Sequence, residues 1–262
     1  MVQTEECVLL ISDTHIGRVT PSYNVDIFKT RIEKLKRNLI TVKETINRSY
    51  KLPVLNIFFL GDIVDGENIY PSQPYKQEMD VDEAIDLAVK EFSHFINFMR
   101  RRFREIRIWC VEGNHGRVGK RNSEKTNYDR IFYKRLGDRF SLHLSKSWYN
   151  HAEIMGHGYL LFHGDSIYSY MNIPFYGIVQ RSMRLKVGGL KEDFEVVCMG
   201  HFHNVGMLYW NDIKILMNGT MLTDDDFSQK RLGMKSCPKF WFFGVSPEPE
   251  RAITWSYLVD VV

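Results

Sequence analysis

The chain reads as an α/β fold, a two-layered sheet sandwich flanked by helices, and the pattern of apolar residues carries that prediction. Apolar runs of strand length recur from end to end, and long segments of helical periodicity separate the first of them. The C-terminal third carries further strand-like runs with no long helix between them. At 262 residues and 44% apolar, the chain can bury a sizeable core. No internal repeat or low-complexity linker interrupts it, so 1–262 is expected to be a single domain.

The elements follow in order. CVLLIS at 7–12 opens as a strand, too short for a helix. Residues 25–49 then place Ile27, Phe28, Ile32, Leu35, Leu39, Val42 and Ile46 on one stripe of an amphipathic helix. VLNIFFL at 54–60 is the second strand. The helix at 81–102 buries Ile85, Ala88, Val89, Phe92, Phe95, Ile96 and Met99, and IRIWCV at 106–111 is the third strand. This alternation builds right-handed crossovers and a largely parallel sheet. YLLF at 159–162, EVVCM at 195–199, IKILMN at 213–218 and FWFFGV at 240–245 are further strands, and RAITWSYLVDVV at the end alternates like an exposed edge strand. YPSQPYKQE at 70–78 and residues 223–239 read as loop insertions.

A net charge of +3 does not announce a polyanion partner by itself. The four cysteines show no C-x-x-C spacing, and three of them lie in strand-like runs, as reduced buried thiols do. The N-terminus lacks a basic stretch followed by an apolar one, and no run of eighteen apolar residues occurs. A cytoplasmic protein without a membrane span is expected, and a homo-oligomer is compatible with the chain.

The chemistry lies at the C-terminal ends of these runs, where open α/β sheets place their sites. The runs are followed in turn by Asp13 and His15, by Asp62, by Asn114 and His115, by His163, and by His201 and His203. Carboxylate, imidazole and amide oxygen hold divalent transition metals, and the missing thiolates argue against a structural zinc site. Residues two apart in an extended segment point the same way, so Asp13 with His15, and His201 with His203, can each face a metal. A lone histidine in such a place is more often a hydrogen-bonded core or loop residue, but joint placement reverses that prior. His94, His143 and His151 keep it. His157 is a decoy, since it precedes its strand whereas His163 follows it. Asp65 and Asp165 divide evenly between partners of a ligand imidazole and solvated loop carboxylates.

DTH, GDIVD, GNH, FHG and GHFH, in this order and spacing, resemble the calcineurin-like metallophosphoesterases. The resemblance implies a four-layer α/β/β/α sandwich and two divalent ions, with Mn(II) expected and Zn, Fe, Ni or Mg as alternatives. The first ion would be held by Asp13, His15, Asp62 and His203. Asp62, Asn114, His163 and His201 would hold the second, with Asp62 bridging. His115 would stabilise charge on the phosphate and protonate the leaving oxygen. Two cations roughly 3.5–4 Å apart acidify a bridging water and neutralise phosphate oxygens, which is why hydrolysis of a phosphoester needs this set.

One departure stands out. Many relatives carry an acid directly after the GNH histidine, whereas here Gly116 and Arg117 follow it. Arg117, with Lys120 and Arg121, is read either as a phosphate clamp or as part of a solvated basic loop. A basic excess from Arg100 to Arg135 fits a polyanion, or a solvated helix face. Tyr168, Tyr170, Phe175 and Tyr176, expected near the site mouth, could stack bases. The whole pattern, with the closing FFGVSPEPERAITWSYLVD, also resembles phage-encoded phosphoesterases related to DNA-repair exonucleases. The expectation is a two-metal phosphodiesterase or nuclease acting on nucleic acid through a metal-bridging hydroxide, with Arg117 and Tyr168 contacting substrate. A phosphomonoesterase, such as a protein or nucleotide phosphatase, is the alternative. A non-catalytic adaptor is a third reading, which the intact ligand set disfavours.

Overall fold

A computed structural model describes residues 3–70, 73–119, 121–123, 125–170, 173–224 and 235–262. Strand β1 (Gln3–Ile11) is followed by helix α1 (Val25–Ile46), β2 (Tyr50–Phe59), α2 (Val81–Arg100), β3 (Glu105–Cys110), α3 (Tyr128–Gly137) and the short β4 (His143–Leu144). Then come β5 (Tyr149–Ile154), β6 (His157–Phe162), α4 (Phe175–Arg184), β7 (Val196–Met199), β8 (Gly206–Trp210) and β9 (Ile213–Met217), and last β10 (Lys239–Val245) and β11 (Ser256–Asp260).

Two sheets result. The first has the order β11-β10-β1-β2-β3-β4, with β1 to β4 parallel and β10 and β11 antiparallel at one side. The second has the order β5-β6-β7-β9-β8, parallel through its centre and antiparallel at both edges. Helices α1, α2 and α3 cover the outer face of the first sheet through Phe28, Leu35, Phe92, Ile96 and Phe132. Val8, Leu10, Phe58 and Trp109 of the first sheet meet Tyr159, Leu161, Cys198 and Leu216 of the second. Ile178 of α4 packs on Phe162, Val197 and Ile215. Four layers, α/β/β/α, bury three apolar interfaces, as the sequence resemblance implied.

Local chemistry sets the helix ends. The side chains of Asn24 and Asp80 accept from the backbone N–H groups of Ile27 and Glu83 at 2.9 and 2.8 Å, capping α1 and α2. All seven predicted core residues of α2 are buried; on α1, Ile27 is instead 37% exposed. Helices α3 and α4 and strands β4, β5 and β8 were not anticipated. On α3, Phe132, Tyr133 and Leu136 face the core, but Arg130, Lys134 and Arg135 between them made the stretch read as a charge run. Strands β5 and β8 are sheet edges, so their polar or outward side chains lack the buried-strand signature. A further correction concerns His157, which is the first residue of β6 rather than a residue before it. Ser256–Asp260 is the edge strand expected at the end of the chain.

Candidate metal centre

The parallel strands of both sheets end at one crevice, and the seven candidate ligands stand just past those ends. Asp13, His15, Asp62, His201 and His203 all have left-handed backbone, with φ between 46° and 74°. Such a conformation costs a non-glycine residue roughly 1–3 kcal/mol and gathers at functional sites. This overturns the expectation of extended Asp-x-His and His-x-His segments: the side chains converge because the chain coils at each strand end. Two glycines make room for the carboxylates. A Cβ on Gly113 would stand 2.1 Å from Asp62 Oδ1, and one on Gly200 would stand 2.5 Å from Asp13 Oδ2. That is the physical content of the glycines opening GNH and GHFH.

Three donor groups form among the described residues, and two of them consist wholly of expected ligands. In one, His15 Nε2 faces His203 Nε2 at 3.0 Å, and His203 Nε2 lies 3.4 Å from Asp13 Oδ1. In the other, His163 Nε2 lies 2.9 Å from Asn114 Oδ1, 3.0 Å from Asp62 Oδ2 and 3.3 Å from His201 Nδ1. His201 and His203 fall into different clusters, and Phe202 between them packs against the core under α4. His163 Nδ1 donates to the carbonyl of Leu60 at 2.8 Å, which turns the Nε2 lone pair toward the cluster.

His115 stands beside both clusters, its ring centroid 4.6 Å from that of His15. Its Nδ1 donates to Asp65 Oδ1 at 2.5 Å. Asp65 is fully buried and also accepts from Arg18 and Gln77, each at 3.0 Å. Asp65 is therefore no solvated carboxylate; it occupies the buttressing position beside His115. The place of the acid that relatives carry after GNH is filled differently, since a Cβ on Gly116 would meet Asn127 Oδ1 at 2.3 Å. Three nearby residues escaped the sequence reading. Tyr70 stacks at a tilt on His115, 4.8 Å between centroids, and its hydroxyl accepts from Asn114 Nδ2 at 3.0 Å. Gln73 Nε2 donates to Asp65 at 3.2 Å. Asp129 accepts from the backbone of Asp62 and Gly113 at 2.8 and 2.9 Å. Tyr70 and Gln73 belong to a Pro-flanked loop and Asp129 to a helix first turn, places with no local signal of a site.

The donor set fits cations. Asp13 and Asp62 are buried, and among the described residues their charged partners are imidazoles. Among the described residues, His203 Nδ1 is buried without a hydrogen-bond partner, and Asp62 Oδ2 is buried against the His163 imidazole. Burial works against the charge on Asp13, Asp62 and Asp65, but the surrounding imidazoles outweigh it and hold all three carboxyls below their ordinary range. Burial likewise opposes charge on His163, yet the Asp62 carboxylate pushes it up to about 10, while burial and its neighbour His163 bring His201 down to about 4. The buried carboxylates are thus balanced by the imidazoles around them, and a cation would supply that charge instead while releasing protons from the imidazoles. Asp13, His15 and His203 could hold one ion; Asn114, His163 and His201 could hold the second; Asp62 stands where it reaches the latter.

A cavity of ≈ 370 Å³ opens over this floor, lined by Tyr70, Asn114, Arg117, Asp165 and His201 among others. Arg117 is not free there, because its Nη2 donates to Asp165 Oδ2 at 2.7 Å. Tyr168 does not line the cavity; it is 73% exposed on the segment leading to α4. Arg121 is exposed, and Lys120 lies outside the described residues. Much of the basic excess is balanced in place: Arg107 pairs with Glu6 and Glu105, Arg130 with Glu112, and Arg135 with Asp82 and Asp86. No helix among the described residues is long and apolar enough to cross a membrane.

Similar structures include vacuolar protein sorting 29 from Cryptosporidium parvum, at 16% identity and TM-score 0.47, with 93% of this chain and 87% of that one covered. A phosphodiesterase described as archaeal aligns at 13% identity and TM-score 0.44, covering 96% and 99%. A protein of Streptococcus pneumoniae titled a predicted phosphoesterase aligns at 11% identity and TM-score 0.37, covering 98% and 99%. A search of curated proteins returned no match. The profile described as calcineurin-like phosphoesterase matches residues 8–217, a span that runs from β1 through both donor clusters to the end of β9. By that match the chain belongs to the calcineurin-like phosphoesterase family.

Proposed function

We propose that this protein is a two-metal phosphodiesterase whose substrate is nucleic acid. The observation that carries the hydrolase reading is the pairing of two buried donor clusters with an imidazole, His115, held against them by Asp65. Two divalent cations, Mn(II) being our choice, would supply charge neutralisation of the phosphate and acidification of a water. The chain's own residues do the rest. Asp65 accepts the hydrogen bond of the His115 Nδ1–H, so Nε2 is the atom that gives a proton to the departing sugar oxygen. Burial opposes charge on His115, but the carboxylates of Asp62 and Asp65 raise its pKa above the ordinary imidazole value. Arg117, oriented by Asp165, forms the cavity wall where phosphate oxygens would lie.

The nucleic-acid assignment draws on Tyr70, whose ring covers His115 on the cavity wall, and on the exposed Tyr168, Tyr170 and Tyr176 beyond it. Hydrolysis of labelled single- and double-stranded DNA is to be compared with that of bis-p-nitrophenyl phosphate and p-nitrophenyl phosphate in Mn(II). Turnover of DNA and the diester is expected. Turnover of the monoester alone would replace this reading with a phosphomonoesterase.

A further inference from the structure

We propose that Asp129 is a positioning residue for the candidate metal centre: one carboxylate on the first turn of α3 holds the Asp62 and Asn114 loops in register, and the ion site they share depends on it. Asp129 is fully buried. Its Oδ2 accepts from Asp62 N at 2.8 Å and Gly113 N at 2.9 Å, and its Oδ1 from Ile63 N at 3.0 Å and Val64 N at 3.2 Å. All of these donors lie on the two loops that present Asp62 and Asn114. Gly61 and Asp62 are both left-handed, with φ of 86° and 54°, and successive N–H groups after such a turn form a concavity that binds an anion. Here the acceptor is a side-chain carboxyl group of the protein.

Asn127 completes the connection. Its Nδ2 donates to the Gly113 carbonyl at 2.8 Å, and its Oδ1 accepts from Asp129 N at 2.8 Å, so the start of α3 is tied to the GNH loop from both sides. The two loops touch with no slack, since a Cβ on Gly61 would meet Gly113 N at 2.5 Å. Replacing one of these acceptor oxygens by an amide NH2 therefore frees the left-handed turn that aims the Asp62 carboxylate. Asp129 bonds the Asp62 and Gly113 loops directly but meets Asp13 and His15 only at one remove, through Asp13 N to Gly61 O at 3.0 Å and His15 N to Asp62 O at 3.1 Å. The larger loss therefore falls on the ion held by Asp62, Asn114, His163 and His201.

The inference rests on the two-ion reading, and Mn(II) binding to the apoprotein, followed by EPR of free and bound ion, tests both. Wild type is expected to take up two ions and to show an exchange-coupled pair. Asp129→Asn should weaken one ion by about 10–100-fold, the size of effect that outer hydrogen-bond partners of metal ligands have, and lose the coupled signal. The other ion should weaken clearly less. Wild-type affinity at both sites of a folded Asp129→Asn protein overturns the role of Asp129, and so does equal weakening of both, which marks a general structural role. Should Asp129→Asn not fold, the same titration of Asp129→Glu, which keeps the carboxyl group but shifts it by a methylene, decides between the same outcomes. Absence of any binding to wild type overturns the two-ion reading as well.

Discussion

His115 Nδ1 and Asp65 Oδ1 are 2.5 Å apart, and the same oxygen lies 3.4 Å from His15 Nδ1. One buried carboxylate thus orients both a candidate ligand and the candidate proton donor, across 50 residues of sequence.

If His115 works through this contact, the two residues act as a unit. Asp65→Asn is expected to lower kcat on bis-p-nitrophenyl phosphate by about 10–100-fold. Adding it to His115→Ala should cost little more than His115→Ala alone, because units of this kind are non-additive. Kinetics of the two single variants and the double variant check this, and additive losses would show that Asp65 and His115 act independently.

Proton donation matters most when the leaving group is a poor one. His115→Ala should lose about 10²–10⁴-fold on a dinucleotide, whose sugar alkoxide needs a proton. The loss on bis-p-nitrophenyl phosphate should be much smaller, since p-nitrophenolate departs unaided. Equal losses on the two substrates would remove the acid role from His115.

Metal removal should be visible without any substrate. A site that binds only the folded protein stabilises it by about 2.7 kcal/mol at a hundredfold excess over Kd. At this chain length that corresponds to a Tm rise of roughly 5–10 °C on adding Mn(II) to chelator-treated protein. Asp62→Ala should abolish most of the rise, and calorimetry with and without EDTA measures it.

The two histidines of GHGYLLFHG should separate in their effects. His157 Nε2 lies 2.9 Å from the Ser246 carbonyl and 3.1 Å from that of Glu248, at the end of β6 remote from the centre. His157→Ala leaves those buried acceptors unserved and should destabilise the fold by ~1–3 kcal/mol in urea titration, with Mn(II) affinity unchanged. His163→Ala should also lose stability, because the buried Leu60 carbonyl loses its donor and the Asp62 carboxylate its imidazole partner, but it alone should lose an ion.

Burial pushes the thiols of Cys7, Cys110 and Cys198 well above their ordinary pKa, whereas Cys237 is half-buried. Native protein should therefore show one thiol reactive toward a disulfide reagent such as DTNB, and the remaining three only after unfolding. Fast reaction of more than one would contradict the packing of β1, β3 and β7.

Much of the fold was legible in the apolar rhythm. Helix α2 buries every residue expected of it, and the strands that carry the candidate ligands begin and end within a few residues of their apolar runs. Edge strands β5 and β8 were not legible, because their side chains are largely polar or exposed and form no continuous buried apolar run. Helix α3 was hidden by the basic side chains of its outer face, and with it Asp129. Arg117 shows the same limit from the other side: its charge was evident, but its partner Asp165, 48 residues on, was not.

The sequence by itself determined which side chains are available at the strand ends, since an apolar strand must stop where polar donors begin. Only the tertiary structure decided how they share the work. Ligand pairing depends on left-handed turns at Asp13, His15, Asp62, His201 and His203, conformations that no residue type among them favours strongly. They persist because contacts from distant segments, Asp129 on Asp62 and the His201 N–H on Asp13 at 3.0 Å, hold them there. Such contacts exist only once both sheets have packed, so no local reading of the chain contains them.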